Sequence, residues 1–185
     1  MNHPTETDVS PPSLTDAEAM SLALAEGERA LTAGEFPVGC VVLYNGRLIV
    51  AGAREGTAAG GTNETDHAEM VALRRLERVD PSLDRSRMTL YCTMEPCLMC
   101  FGAILLSGVG RLVWAYEDAM GGATGMDRSV LLPLYRDNPI QIVPRFRRRE
   151  SLALFRRFFE NPDNPYWRGS LLARYTLEQA LEEDR

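Results

Sequence analysis

The chain has 185 residues, 45% hydrophobic and 25% charged, with a net charge of −6 at neutral pH. That length suits one domain with room for a hydrophobic core; the acidic balance speaks against a protein that coats nucleic acid, and no apolar run approaches a membrane span. All 20 basic residues are arginine, which excludes a lysine Schiff base and a P-loop lysine.

In chain order, residues 1–13 are polar, carry Pro4, Pro11 and Pro12, and read as disordered. They show neither the basic start nor the apolar run of a secretory signal, which points to the cytoplasm. Ser13 or Thr15 can cap a helix with Leu14, Ala17, Met20 and Leu24 on its apolar side, ending at Gly34. Residues 38–44 and 47–51 are rich in β-formers, and Asn45-Gly46 between them signals a two-residue hairpin turn. A Gly, Ala and Thr-rich loop follows at 52–64. Thr65 or Asp66 can cap a helix from 67 to about 79, which stops before Pro81. Residues 88–93 read as a buried strand, and Pro96 as the opening residue of another helix. Then come a strand at 111–116, a glycine-rich loop at 121–127 and a short strand at 140–143. Helices at about 145–160 and 169–183 close the chain, separated by Asn161-Pro162-Asp163-Asn164-Pro165. Strands alternating with helices predict an α/β domain with three layers around a mixed sheet.

Two short segments carry chemistry: His67-Ala68-Glu69 and, about thirty residues on, Pro96-Cys97-Leu98-Met99-Cys100. His67, Cys97 and Cys100 have zinc-ligand chemistry. Three protein ligands leave one tetrahedral position open, the mark of a catalytic rather than a structural site. Glu69 is a carboxylate that such a site does not need, and a spare carboxylate there is a natural proton shuttle. Cysteines three apart at a helix start project to one face, where the helix dipole favours thiolates. Two other readings stay open. A structural zinc site would take Cys92 or Cys40 as a fourth ligand, although both read as small core residues. A redox C-x-x-C pair would leave His67 and Glu69 without a role. Four cysteines are too few for a disulfide scaffold. Between 136 and 157 seven arginines stand against two acids. That run reads as a solvated helix face or as a phosphate or RNA contact.

H-x-E followed by P-C-x-x-C is the zinc deaminase signature, and here the chain resembles the cytidine/deoxycytidylate deaminase superfamily. The branch is the one that holds bacterial tRNA adenosine deaminase and guanine deaminase. Glu35-Phe36-Pro37-Val38-Gly39-Cys40-Val41-Val42 resembles that family's first hairpin strand, and residues 90–100 its strand and metal helix. Residues 118–125 resemble its glycine-rich loop, and 154–159 its late helix. The resemblance implies a zinc deaminase domain over 14–160, followed by a C-terminal helical extension over 161–185. It implies a five-stranded mixed sheet flanked by helices, a homodimer, and Zn2+ on His67, Cys97 and Cys100, with Glu69 shuttling the proton. The reaction it implies hydrolyses an amino group from a ring carbon and expels ammonia. Phe36, Val38 and Cys40 would lie near the base.

Two positions depart from the family. Relatives carry an asparagine shortly after the second hairpin strand; the matching stretch here is Gly52-Ala53-Arg54-Glu55-Gly56, with Arg54 nearest. Asp66 precedes the metal histidine where the tRNA enzyme has a small residue; it can cap the helix or face a substrate N–H. The expected substrate is a small aminated base, nucleoside or related heterocycle, with tRNA adenosine as the alternative. A zinc module or partner subunit without activity is a third reading, against which Glu69 argues.

Overall fold

A computed structural model describes residues 13–180. The expectation of disorder over 1–13 therefore falls almost wholly outside the described residues; the helix expected at 169–183 is shorter, spanning Leu171–Glu178 with Gln179 as its C-cap. The elements are helix α1 (Asp16–Thr32), strands β1 (Gly39–Tyr44) and β2 (Arg47–Ala53), α2 (Ala68–Leu76), β3 (Met88–Met94), α3 (Leu98–Ser107) and β4 (Arg111–Tyr116). Next come a short α4 (Pro133–Arg136), β5 (Gln141–Val143), α5 (Arg148–Glu160) and α6 (Leu171–Glu178).

The five strands form one sheet in the order β2-β1-β3-β4-β5. β1 runs antiparallel to β2 and β3, whereas β3, β4 and β5 are parallel. This is the mixed five-stranded α/β architecture expected. Alternation sorts the strands cleanly. Val41, Leu43, Tyr91, Val113 and Ala115 face α1, where they meet Ala19, Met20 and Ala23. Val42, Leu90, Cys92, Leu112 and Trp114 belong to the larger core, with Ala72 and Leu76 of α2 and Phe101 and Ile104 of α3. The layers are thus α1, the sheet, and α2 with α3. α5 lies beside α1, tied by Arg157 to Glu28 and by Arg147 to the Ala17 carbonyl.

Local chemistry explains most boundaries. Thr15 caps α1 in a reciprocal box: its hydroxyl accepts from the Glu18 amide, and the Glu18 carboxylate accepts from the Thr15 amide. Asn45 (φ 49) and Gly46 (φ 76) both take the left-handed conformation that a tight hairpin turn needs. β2 runs two residues beyond the expected end and delivers Arg54 directly at its exit.

Two helix starts differ from the sequence expectation for one shared reason. Asp66 does not cap α2, and Pro96 is not the first helical residue of α3. The N-caps are His67 and Cys97, and neither side chain makes a capping hydrogen bond. Both are turned toward each other instead. Gly52 lets α2 sit directly on β2, since a Cβ there would lie 2.7 Å from the Ala68 carbonyl oxygen and 2.8 Å from the Ala72 amide. That close approach fixes where His67 emerges. Cys97 follows β3 at the carboxyl end of the parallel strands, the usual place for a site in an open α/β sheet. Among the described residues no helix is long and apolar enough to cross a membrane.

Candidate metal centre and substrate cavity

His67, Cys97 and Cys100 offer ligand atoms that all lie within 4.8 Å of one another. His67 Nδ1 is 3.5 Å from Cys97 Sγ and 3.4 Å from Cys100 Sγ. Zinc bonds of about 2.3 Å to sulfur and about 2.0 Å to nitrogen give tetrahedral edges of about 3.6 Å between ligands. The two edges that meet at the imidazole therefore already have the lengths a zinc ion requires, and the donor set is right for it. Cys40 and Cys92 do not join them. They face each other across β1 and β3, fully buried, as free thiols whose ionisation burial strongly opposes. Among the described residues no fourth protein ligand completes the cluster.

The electrostatics of the cluster are coupled. The hydrogen bond with Cys100 brings the Cys97 thiol down to about 4, with His67 adding to the shift. Cys100 is pushed the other way by that same bond and by burial. Burial works against the charge of His67, but its hydrogen bond with Cys97 and the Glu69 carboxylate raise it. Burial raises Glu69 as well, and the nearby Cys97 charge adds to this. Glu69 lies almost wholly out of solvent in the first turn of α2, and its Oε2 has no hydrogen-bond partner among the described residues. An unpaired buried carboxylate oxygen costs free energy. A group entering the cavity beside it relieves that cost.

A small cavity opens at this centre, with about 520 Å³ of empty space when the open solvent at its mouth is included. His67, Glu69 and Cys97 line one side; Phe36, Val38, Met94, Tyr166 and Trp167 supply apolar and aromatic wall. Glu95 and Asp118 also line it, but both carboxylates are engaged in building a loop. Glu95 accepts from the Thr124 amide and hydroxyl, and Asp118 from the amides of Met120 and Gly121. The loop crosses Cys97 through a bridge at Gly122, where a Cβ would collide with the Glu95 carboxylate.

Of the residues singled out from sequence, His67, Glu69, Cys97, Phe36, Val38 and Arg54 meet around this cavity, with Cys100 at its metal end. Two do not. Cys40 is part of the core rather than of the wall. Asp66 is turned to Arg74 and accepts from Asn63 Nδ2 at 2.5 Å, holding the loop before α2. Tyr166 and Trp167 escaped the sequence reading. They stack with ring centroids 5.4 Å apart and close over Phe36 at 5.5 and 6.2 Å. Their only signal was two adjacent aromatics just after a breaker run. Trp167 takes a positive φ of 53°, a strained conformation for so bulky a residue. The aromatic packing holds it there.

Residues 13–116 match the family described as the cytidine and deoxycytidylate deaminase zinc-binding region. A tRNA-specific adenosine deaminase from Haemophilus influenzae is 38% identical over 110 residues, covering 60% of this chain and 63% of that protein. A chloroplastic tRNA(adenine(34)) deaminase from Arabidopsis thaliana is 38% identical over 106 residues, covering 57% of this chain and 8% of that protein. The chain thus spans less than two thirds of the length of either relative. Among solved structures, guanine deaminase from Nitrosomonas europaea superposes with a TM-score of 0.62 at 25% identity, covering 81% of this chain and 88% of that one.

Proposed function

The chain belongs to the cytidine and deoxycytidylate deaminase family, and from that premise we propose that it is a zinc-dependent hydrolytic deaminase of a small aminated base, nucleoside or related heterocycle. The observation that carries this is the unpartnered, buried Glu69 Oε2 beside a three-ligand zinc set at the end of an aromatic cavity. His67, Cys97 and Cys100 hold the ion, which when bound acts as a Lewis acid and brings water into reactive form near neutral pH. Glu69 then holds and moves the proton at Oε2. Burial raises its proton affinity toward the operating pH, where a shuttle works best. The water oxygen bonds to the amino-bearing ring carbon, the proton Glu69 takes from it goes to the amino nitrogen, and the C–N bond breaks to leave a ring carbonyl and release ammonia. Phe36, Tyr166 and Trp167 offer flat faces to a planar ring and keep bulk water out. Arg54 contributes a polar contact on the same wall.

A second reading, deamination of adenosine in tRNA, is favoured by the tRNA enzymes at 38% identity. The arginines from 136 to 157 support it weakly, because six of the seven already face carboxylates of this chain. The Tyr166–Trp167 wall also favours a small ligand. We further infer a homodimer, through the exposed apolar side chains of α3 and α4.

An ammonia-release panel over free bases, nucleosides, nucleotides and tRNA tests the reading. We expect turnover with a small compound, and weak tRNA binding without the steep salt dependence of a phosphate reader. Turnover confined to tRNA would replace the first reading by the second. Glu69→Gln should keep its zinc and lose about 10²- to 10⁴-fold in kcat. Full activity in that variant would remove the shuttle role.

A further inference from the structure

The segment that carries Tyr166, Trp167 and α6 lies outside the residues that match the family, yet it supplies the aromatic cover of the cavity. The cover does not hold its place by its own backbone. Trp167 (φ 53) and Gly169 (φ 71) both take the left-handed conformation, which a bulky residue keeps only where its surroundings impose it. Asn161, Pro162, Asp163 and Pro165 before it are exposed. The Tyr166 hydroxyl donates to Glu64 at 2.9 Å, in contact with solvent. The buried anchor lies further on, in α6. Thr176 and Tyr116, both fully buried, share a hydrogen bond of 3.1 Å. Beside them the Tyr175 hydroxyl donates to Glu117 at 2.7 Å, and Glu117 also accepts from Nε and Nη2 of Arg148 at 2.7 and 2.6 Å. Tyr116 ends β4, and Glu117 follows it directly before Asp118 of the cavity wall. The Tyr116 ring stacks on Phe155 at 5.4 Å, Phe155 meets Phe36 at 5.2 Å, and Phe36 meets the cover.

We propose that Thr176 and Tyr175 are positioning residues, which pin α6 to the end of β4 and so set where Tyr166 and Trp167 stand over the cavity. This rests on the deaminase reading above and adds what holds its site in shape. The helix and the cover are closely joined: Ser170 caps α6, and its amide donates to the Trp167 carbonyl at 3.0 Å. A helix of only eight residues is unstable by itself in water, so α6 depends on its docking. Without the Thr176 hydroxyl, the Tyr116 hydroxyl is buried and unsatisfied in the docked state, a cost that undocking relieves. Undocking frees the cover, and the apparent affinity for a ring then falls with the fraction of molecules still closed. The metal end is untouched, because His67, Glu69, Cys97 and Cys100 stand on or at the starts of α2 and α3. The effect therefore falls on KM and spares kcat.

The test uses the zinc-loaded protein in a Trp114→Phe background, which leaves Trp167 as the only tryptophan. Acrylamide quenching of its fluorescence reports how open the cover stands, with no substrate present. Ammonia release gives kcat and KM for whichever of cytosine, adenine, guanine and their nucleosides is turned over. Thr176→Val should let acrylamide quench Trp167 more steeply, and should raise KM about 3- to 10-fold with kcat within about 2-fold of the parent. Thr176→Ser, which restores the hydroxyl, should bring both readings back. Tyr175→Phe should move both in the same direction by less, since Glu117 keeps Arg148. A Thr176→Val protein that unfolds at a lower temperature but keeps the parental quenching and KM would reduce Thr176 to a structural contact and overturn the proposal. A fall in kcat at unchanged KM would overturn it too, because the loss would then lie in the chemistry and not in the cover. Absence of ammonia from every compound would sink the deaminase reading instead, and the quenching would still judge the anchor.

Discussion

Cys92 and Cys97 stand five positions apart in the chain and live in opposite chemistry. Cys92 faces Cys40 inside the sheet, and burial keeps its thiol neutral. Cys97 sits at a helix start, where its bonds with Cys100 and His67 make it a thiolate. We expect Cys97→Ala to leave the purified protein without zinc by atomic absorption. Cys92→Ala should retain the metal and lose about 1 kcal/mol of stability for its small cavity. Zinc retained by Cys97→Ala would mean that the ion sits elsewhere. The metal ligands and Glu69 were legible in sequence because ligand chemistry and spacing restrict each other tightly. The wall was legible only in part. Phe36 and Val38 adjoin a recognisable strand, but Asp66 is drawn off to Arg74 and Cys40 points into the core. Tyr166 and Trp167 lie about a hundred residues beyond His67, and no local pattern states which distant loop folds over a cavity.

At the scale of elements, caps and turns written in side-chain chemistry were readable, as Thr15, Asn45 and Gly46 show. The starts of α2 and α3 were not, because His67 and Cys97 give up capping to face the metal position, a local rule broken at a functional site. α1 is held by a different device. Asp16 in its first turn accepts from both arms of Arg111 on β4, at 2.8 and 2.6 Å, and from the Tyr91 hydroxyl of β3 at 2.7 Å. The Arg111 bond is the main cause that lowers the Asp16 pKa, and Tyr91 is pushed up to about 12 by burial and by Asp16. Asp16 is over a third exposed, so its contribution is set at about 1 kcal/mol rather than the larger value of a buried pair. A carboxylate whose folded pKa is depressed stabilises fully above its unfolded value, near 4, and loses that stabilisation as pH falls through the folded value. Urea unfolding should therefore show Asp16→Asn about 1 kcal/mol less stable than the parent at pH 7, with the gap closing as pH falls below the usual carboxylate range near 4. A gap that persists there would assign the loss to packing instead of charge.

The molecule as a whole buries its core well, yet leaves one apolar surface open. Leu98 and Leu106 of α3 are 64% and 62% exposed, and Val130, Leu132 and Leu134, in and just before α4, are 79%, 79% and 62% exposed. α3 packs against α4, so these exposed side chains lie on neighbouring elements. Apolar side chains gathered on one side, rather than scattered singly, mark a binding face. This one adjoins the metal helix, since Leu98 follows Cys97 directly. A second copy of the chain is the occupant we infer, and a two-fold interface has a consequence that a foreign partner lacks. The same patch appears on both sides, so each substitution acts twice. Leu98→Asp combined with Leu134→Asp places four carboxylates in an apolar contact, a cost well beyond what a standard interface tolerates. Sedimentation velocity at micromolar concentration should show the parent at twice the monomer mass and the double variant at the monomer mass. The fold of the variant should be intact by circular dichroism, because neither leucine belongs to the core. A parent chain that sediments as a monomer would leave this face to some other partner. A variant that stays dimeric would move the interface to another side of the sheet.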